Sequence, residues 1–361
     1  MTDTSGPDGH AAPDHGASSQ HGDRPAHDKT LPGVPGLGGL YARAVVQSPA
    51  RLLAKVPGLG GRSDAEESGA DGRSASTSGI VLPDVTYRVA DVVADPEHLL
   101  AYQRLLGEPA DDQLPAGFVH VLAFPVAMAL MVRADFPLPV AGMVHLANAV
   151  RVERPILADE HLEVQAWAEN VRPHRKGTQV DLVTEVSALS GAGHAREVVW
   201  RGVSTYLAKG AGSVVVVEPG GDAGTDSTAG TEGDGPTAER FPTGQRFPTG
   251  QWQLDAGTGR RYAAVSGDRN PIHLSAPTAK AFGFPRAIAH GMYTAARALA
   301  ESGAGRSGAF EWTVEFAKPV LLPGKVAVAI TRDAGAPGGF GYVGWDARSG
   351  KEHFRGTVTP G

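Results

Sequence analysis

The 361-residue chain contains no cysteine, so disulfides, thiolate ligands and thiol nucleophiles are all excluded. It also lacks any apolar run approaching the ~20 residues that a membrane-spanning helix needs. The most apolar run, at 121–132, predicts a buried helix instead. The first thirty residues are polar and have no apolar centre, so a secretory signal is not expected. Together these absences fit a cytoplasmic protein.

An excess of positive charge is missing as well. The 33 Lys and Arg are outnumbered by 39 Asp and Glu, for a net charge of -6. No basic cluster with interleaved aromatics occurs, which argues against nucleic-acid binding. Neither a Gly-x-Ser-x-Gly elbow nor a phosphate-binding Gly-x4-Gly-Lys-Ser/Thr loop is present. The 41% of apolar residues supply real cores, and the length allows two domains.

The most informative stretch runs from Tyr262 to Met292. It places Asp268 five residues before His273, with Pro271 between them. On one helix these two side chains would point about 140° apart, but the proline disfavours a helix there. A loop that turns at Gly267 can aim both side chains at one point. A carboxylate and a neutral imidazole around one water can share acid and base work, each typically worth about 10²–10⁴-fold.

A helix is expected to begin at His290-Gly291-Met292, because apolar residues follow at helical spacing. Backbone N–H groups at a helix N-terminus are free and lie at the positive end of the helix dipole. The N–H of Gly291 or Met292 could therefore bind a thioester oxygen as it gains negative charge. His290 is interpreted as a buried, hydrogen-bonded residue at the helix start rather than a catalytic group.

The same residues allow two plainer interpretations. Asp-x-Asn-Pro by itself is also a common turn sequence. Asp268, His273 and His290 could in principle ligate a metal ion, but their spacing matches no usual zinc pattern. We therefore expect neither a metal nor another cofactor.

The ordered pattern Tyr-Ala-x-x-Ser-Gly-Asp-x-Asn-Pro-Ile-His, followed by Gly-Phe and Ile-Ala-His-Gly-Met, closely resembles the MaoC-like dehydratases. These are also called hydratase 2 or (R)-specific enoyl-CoA hydratases. The resemblance implies a hotdog fold, in which an antiparallel sheet wraps a long helix. It implies that Asp268 and His273 are catalytic and that Gly291 holds the oxyanion. Four neighbours are expected to bind substrate or to support the site: Ser266, Asn270, His290 and Met292.

Composition divides the chain into four parts. Residues 1–79 are expected to form a mostly disordered tail. Its exception is a short amphipathic segment at 40–55, which either docks on the protein's own surface or meets a membrane surface. Residues 211–250 are a disordered linker that ends in a duplicated Arg-Phe-Pro-Thr-Gly-Gln. The blocks 80–210 and 251–361 each show helical signals before strand-like runs, which predicts an α+β fold.

The two blocks look like copies of one another. The segment 150–157 aligns with 314–321 at an offset of 164, and the upstream Tyr102 and Gly107 repeat at an offset of 160. A single helix-and-sheet unit presents an unpaired strand edge, and pairing two copies would cover it. We therefore predict a double hotdog, a pseudo-dimer within one chain.

The first copy is expected to be degenerate. At the offset of 160, Glu108 falls at Asp268, but Gln113 falls at His273, so the imidazole is lost. This arrangement resembles the actinobacterial two-hotdog 3-hydroxyacyl-thioester dehydratases, whose degenerate half is thought to make room for the acyl chain. Helix 118–132 is the candidate wall of that tunnel, with a plain core helix as the alternative.

The resemblance implies reversible hydration of trans-2-enoyl thioesters to (R)-3-hydroxyacyl thioesters, carried on coenzyme A or acyl carrier protein, in fatty-acid or related lipid metabolism. Which of Asp268 and His273 is the acid and which the base stays open. Arg172, Arg175 and Lys176 are candidate contacts for an acidic carrier. The alternatives are a hotdog thioesterase, although those lack the Asp-x-Asn-Pro-Ile-His loop, and a non-catalytic thioester-binding or assembly protein. Self-association of the chain is left open.

Overall fold

The computed structural model describes residues 24–46, 80–140, 143–190, 195–209, 247–306 and 308–361. Its helices are α1 (Leu37–Val46), α2 (Pro96–Leu106), α3 (Ala116–Met131), α4 (Thr258–Ser266), α5 (Pro271–Leu274), α6 (Ala276–Ala281) and α7 (Gly291–Ser302). Its strands are β1 (Asp28–Thr30), β2 (Thr86–Val92), β3 (Val144–Val152), β4 (Leu162–His174), β5 (Gly177–Ser190), β6 (Ala195–Lys209), β7 (Gly250–Leu254), β8 (Phe310–Phe316), β9 (Gly324–Arg332), β10 (Phe340–Asp346) and β11 (Glu352–Pro360). Among these residues no helix is long and apolar enough to cross a membrane.

All eleven strands belong to one sheet, in the order β1-β2-β4-β5-β6-β3-β8-β11-β10-β9-β7. The order is the same in both halves, since β2-β4-β5-β6-β3 is repeated by β7-β9-β10-β11-β8. The halves meet where β3 pairs antiparallel with β8. Each half thus covers the edge that the other would expose. The predicted α+β double hotdog is confirmed.

The register of the central pair supports the internal duplication. Ala149 of β3 lies directly opposite Thr313 of β8. These two residues are separated by the same 164 positions that relate the two sequence copies. Equivalent residues face each other only on a two-fold axis. The pseudo-two-fold axis therefore passes between Ala149 and Thr313.

Helices α2 and α4 occupy equivalent places and end in the same way. Gly107 follows α2 with φ 78°, and Gly267 follows α4 with φ 69°. This left-handed conformation is open to glycine at little cost and ends a helix abruptly. An acidic residue comes next in both copies, Glu108 in the first and Asp268 in the second. The helix end therefore determines where each carboxylate is placed.

The helix expected at 118–132 and the strand-like runs of both blocks are confirmed, with shifts of a few residues at their ends. The strands β2 and β7, which open the two halves, were not predicted. Strand β2 carries a bulge between Val89 and Val92, which interrupts its alternation. Strand β7 has only five residues and begins at Gly250, the last residue assigned to the linker.

Residues 24–36 differ from the sequence-based prediction, because they are ordered rather than part of a disordered tail. Strand β1 pairs in parallel with β2, with Asp28 opposite Thr86. The guanidinium of Arg88 donates to the Asp28 carboxylate. Three residues therefore join the edge of the sheet, although the surrounding composition is polar and low in complexity.

Helix α1 follows, and it docks on the protein's own surface, as one of the two interpretations proposed. It begins at Leu37, before the expected start at residue 40, and buries Leu40 and Ala44. The remainder of the predicted amphipathic segment, 47–55, lies outside the described residues.

Close packing near the junction of the halves gives a stability prediction. A Cβ on Gly356 of β11 would overlap the carbonyl oxygen of Thr313 and the hydroxyl of Tyr342. Gly356→Ala should therefore lower the free energy of unfolding by about 1–3 kcal/mol. Gly250→Ala in β7 is the matched control, because a Cβ there meets nothing within 4 Å. Urea denaturation measures both, and equal stability of the two variants would contradict the packing.

Candidate active site

Asp268 is held by the backbone of its own motif. After the turn at Gly267, the Asp268 N–H donates to the Ser266 hydroxyl oxygen at 3.2 Å. The Asn270 N–H donates to Asp268 Oδ1 at 3.1 Å. Ser266 thus binds the backbone of Asp268, and Asn270 binds its carboxylate.

His273 lies on the single-turn helix α5. Asn270 caps this helix through its side-chain oxygen, and Pro271 occupies its first position, where a missing N–H costs nothing. The ring Nδ1 lies 2.9 Å from the Ile288 carbonyl oxygen. A carbonyl can only accept, so Nδ1 carries the proton and Nε2 keeps its lone pair. The short turn brings His273 toward Asp268, which an ordinary helix would not do.

His290 lies between the two predicted catalytic groups. Its ring stacks on His273, with centroids 3.7 Å apart and planes inclined by 24°. Its Nε2 donates to the Asp268 carbonyl oxygen at 2.9 Å and lies 3.7 Å from Asp268 Oδ2. The side chain is buried at the N-cap of α7. The structure thus places it as the predicted buried, hydrogen-bonded residue at the helix start.

Helix α7 begins at Gly291, and both Gly291 and Met292 line the same cavity as Asp268 and His273. The first N–H groups of a helix have no partner within it, and they lie at the positive end of the dipole. A Cβ on Gly291 would stand 2.8 Å from Phe316 Cζ, so this close approach favours glycine. The geometry suits a donor aimed at an oxyanion.

Asp268, His273 and His290 also have ligand atoms within 4.8 Å of one another, which raises the question of a metal. An imidazole binds a metal ion through a lone pair in the plane of its ring. The two rings are stacked 3.7 Å apart and nearly parallel, so their lone pairs do not converge on one point. This geometry does not suit a three-residue metal centre.

A cavity of about 440 Å³ joins these residues to the first half of the chain. One face of α3 contributes to its wall through His120, Val121, Phe124, Met128 and Met131. Other α3 residues, such as Phe118 and Val126, are fully buried in the core. The helix therefore both lines the cavity and packs in the core. Basic residues border another part of the cavity: Arg175, Lys176, Lys209 and Lys318.

Burial and neighbouring charges determine the protonation of the pair. Burial acts to raise the pKa of Asp268, but His290, His273 and two hydrogen bonds outweigh it and leave that pKa below its usual value. Burial, followed by the neighbouring His290, lowers the pKa of His273 to about 3. At neutral pH the site therefore holds a carboxylate beside a neutral imidazole.

Sequence reasoning missed Tyr41 of α1, whose hydroxyl donates to Asp268 Oδ1. It also missed three groups of the first half that line the cavity, namely His120, His145 and Tyr206. The His145 ring stacks on Tyr206 with centroids 4.6 Å apart. No motif surrounds these residues, so only their position in the fold reveals them.

The structure corrects the register proposed for the first copy. Gln113 bridges to Leu157, as Ile288 bridges to Leu321 in the second copy. Gln113 is thus the counterpart of Ile288 and not of His273. The segment that carries α5 and α6 has no counterpart between Glu108 and Gln113. The first copy therefore lacks the imidazole because it lacks the whole segment that carries it, and not because an amide replaces the imidazole.

The rest of the first copy is closed. Glu108, the counterpart of Asp268, lies 3.6 Å from the guanidinium of Arg306. A cavity of only about 10 Å³ borders Gln113, and Trp200 and Phe310 are among its other lining residues. Among the described residues, the large cavity is associated with the second motif alone.

Comparison with known proteins identifies the family of the chain. Residues 243–338 match the family described as MaoC like domain. The chain is 34% identical over 265 residues to 3-hydroxyacyl-thioester dehydratase X of Mycobacterium tuberculosis, which covers 73% of this chain and 84% of that protein. The chain belongs to the MaoC-like dehydratase family. The resemblance drawn from the motif is confirmed.

Solved structures agree with this membership. HtdX of Mycobacterium tuberculosis matches with a TM-score of 0.61 and 32% identity, over 76% of this chain and 99% of that chain. A MaoC-like dehydratase from Phytophthora capsici matches with a TM-score of 0.55 and 18% identity, over 76% and 94% of the two chains. The second match shows the shared fold.

The buried imidazoles give a pH prediction. Burial lowers the pKa of His120 to about 4 and the pKa values of His145 and His273 to about 3. In the unfolded chain they titrate near 6.5. Below about pH 6.5 the unfolded chain thus binds more protons, so the free energy of unfolding falls as the pH is lowered toward 4. Urea unfolding at pH 7.5 and 5.0 should show a loss of at least about 2 kcal/mol at the lower pH.

His120→Gln serves as the control, because it removes one of the titrating rings. The difference in stability between the two pH values should become smaller in this variant, whatever its absolute stability. An equal free energy of unfolding at pH 7.5 and 5.0 in the unmodified protein would contradict the buried, neutral state of these rings.

Proposed function

We propose that this MaoC-like protein is a 3-hydroxyacyl-thioester dehydratase that interconverts trans-2-enoyl and (R)-3-hydroxyacyl thioesters. The observation that carries the proposal is the Asp268–His273 pair, which lines one cavity together with the start of helix α7. The motif of the second half is complete, whereas the first half lacks the segment that carries the imidazole. The family assignment favours this reaction over a hotdog thioesterase or a non-catalytic partner.

The protonation states suit the binding of one water. Asp268 is ionised, and His273 Nε2 carries a lone pair because Nδ1 donates to Ile288. Both groups are then hydrogen-bond acceptors. A water that donates one proton to each keeps an oxygen lone pair free for C3 of the enoyl thioester.

The protonation states of Asp268 and His273 also determine where the proton added to C2 comes from. At rest the Asp268 carboxylate and His273 Nε2 hold no proton, and the Nδ1 proton is engaged by the Ile288 carbonyl. The proton delivered to C2 therefore comes from the attacking water. In the proposed sequence the water oxygen bonds to C3 while His273 Nε2 accepts a water proton. The C2–C3 double-bond electrons move into the thioester enolate, and Nε2–H then protonates C2. Asp268 stabilises the transient imidazolium, since its charge favours protonation of His273.

The enolate oxygen needs a donor in the same cavity. The N–H groups at the start of α7, at Gly291 and Met292, are the proposed donors. A thioester carbonyl directed at them would place C2 and C3 beside Asp268 and His273, because all four residues line one cavity. Removing one donor of this kind typically reduces the rate by about 10²–10³-fold.

The cavity also suits the two ends of an acyl thioester. Phe124, Met128 and Met131 of α3 provide an apolar wall for the acyl chain. Arg175 and Lys176, at the β4–β5 turn, are exposed and can meet the phosphates of coenzyme A or an acidic carrier protein. Arg172, named with them from sequence, instead binds the Asp181 carboxylate at 2.8 and 3.1 Å.

Hydration of crotonyl-CoA and of a long-chain trans-2-enoyl-CoA, followed by loss of the enone absorbance, tests the proposal. Asp268→Asn should lower kcat/KM by at least about 10²–10⁴-fold, because the amide cannot accept as a carboxylate does. Glu108→Gln is the matched control, since it makes the same change at the equivalent position of the first half and should stay active. A folded wild type that is silent with coenzyme A and carrier-protein substrates would refute the function.

The acyl-chain wall gives a separate prediction. Met128→Trp should fill the apolar end of the cavity and reduce kcat/KM for a long-chain trans-2-enoyl-CoA by at least about 10-fold. The same variant should hydrate crotonyl-CoA nearly as fast as wild type, and this short substrate serves as the internal control. Equal losses for both substrates would show that α3 does not enclose the acyl chain.

A further inference from the structure

Helix α1 lies over the catalytic motif of the distant second half. The Leu37 side chain stands 2.6 Å from where a Cβ on Gly267 would be, so it packs directly on the turn before Asp268. Leu40 and Ala44 are buried one and two helical turns further on. Ala44 also lines the cavity. The helix is therefore part of the wall of the site.

Tyr41 extends from this helix to the carboxylate. Its hydroxyl donates to Asp268 Oδ1, the same oxygen that accepts from the Asn270 N–H at 3.1 Å. Oδ2 lies on the side of His290, 3.7 Å from its Nε2. Two donors from different parts of the chain therefore fix Oδ1, and rotation of the carboxylate would break both hydrogen bonds.

We propose that Tyr41 is a positioning residue for the hydration reaction, whose hydroxyl holds Asp268 so that Oδ2 faces the water. The N-terminal helix then completes an active site that the motif of the second half does not form alone. This inference rests on the proposed function of Asp268 and adds a residue to it.

The electrostatics agree with a donor role. Burial, and then the charge of Asp268, raise the pKa of Tyr41 well above its usual value, so the phenol stays protonated. Its hydrogen bond is one of the contacts that keep the pKa of Asp268 low. The other titratable groups that interact with this carboxylate are His120, His145, Tyr206, Tyr262, His273 and His290. The substitution Tyr41→Phe replaces none of these six side chains.

The helix is also tethered in place. Strand β1, which pairs with β2, ends at Thr30, and α1 begins at Leu37. Arg88 fixes the start of β1 through Asp28. A connection of six residues between two docked elements limits how far Tyr41 can move from Asp268. A fixed donor is what positioning of a carboxylate requires.

The test is Tyr41→Phe in the full chain, compared with Tyr87→Phe. Tyr87 is buried on β2, and its hydroxyl accepts from Arg133 Nη1 at 2.9 Å. Both substitutions remove one hydroxyl, but Tyr87 does not line the cavity. We would measure kcat and KM for crotonyl-CoA hydration from roughly pH 3.5 to 9, so that the acidic limb set by Asp268 is included, with the melting temperature of each variant.

Tyr41→Phe should lower kcat by roughly 10- to 100-fold with little change in KM, because the misdirected carboxylate affects the reaction more than substrate binding. It should also move the acidic limb of the kcat/KM profile to higher pH, since the hydrogen bond from Tyr41 helps to keep the pKa of Asp268 low. Tyr87→Phe should leave the profile in place. A lower melting temperature with an unchanged profile would indicate a structural role only and would overturn the proposal.

Two further results would also overturn it. Faster hydration by Tyr41→Phe would mean that the hydroxyl occupies the place of the water and blocks the site. A raised KM with unchanged kcat would assign Tyr41 to substrate binding. Failure of the proposed function is distinguishable, since wild type would then be inactive or Asp268→Asn would stay active. An inactive Asp268→Asn beside a wild-type-like Tyr41→Phe would refute the role of Tyr41 alone.

Discussion

The antiparallel pairing of β3 with β8 is the interaction on which the rest of the molecule depends. It covers one edge of each five-stranded half and sets the pseudo-two-fold axis between Ala149 and Thr313. It also places the first half's α3 beside the Asp268–His273 motif of the second half, so that both line one cavity. Neither half encloses that cavity alone. The division of labour between the copies therefore follows from how the sheet is joined.

The two copies differ because one segment exists in only one of them. After the equivalent glycines at 107 and 267, the second copy inserts α5 and α6 before rejoining the common register at Ile288. That insertion carries His273 and brings its ring under His290. The first copy passes directly from Glu108 to Gln113, and its carboxylate meets Arg306 instead. A carboxyl group without an imidazole partner cannot share acid and base work. Burial raises the pKa of Glu108 to about 7, and the charge of Arg306 offsets that rise only in part.

Local sequence accounted for much of the fold and for the Asp268–His273 pair. The αL glycine, the Pro271 turn and the helix start at Gly291 depend on neighbours within a few residues, so pattern and propensity could predict them. Tyr41 could not be found in this way, because its partner Asp268 is 227 positions away. The register of Gln113 was wrong for a related reason. A constant offset cannot represent an insertion, whereas the bridge from Gln113 to Leu157 reveals it.

Burial of the Asp268 carboxylate accounts for such distant partners. An ionised group taken out of water is costly unless hydrogen bonds and nearby groups compensate for it. Asp268 receives that compensation from four groups: the His290 ring at the start of α7, the His273 ring of α5, the Tyr41 hydroxyl of α1 and the Asn270 N–H of its own loop. Each contact also restricts how the carboxylate can turn. The groups that stabilise the buried charge of Asp268 are therefore the same groups that orient its carboxylate.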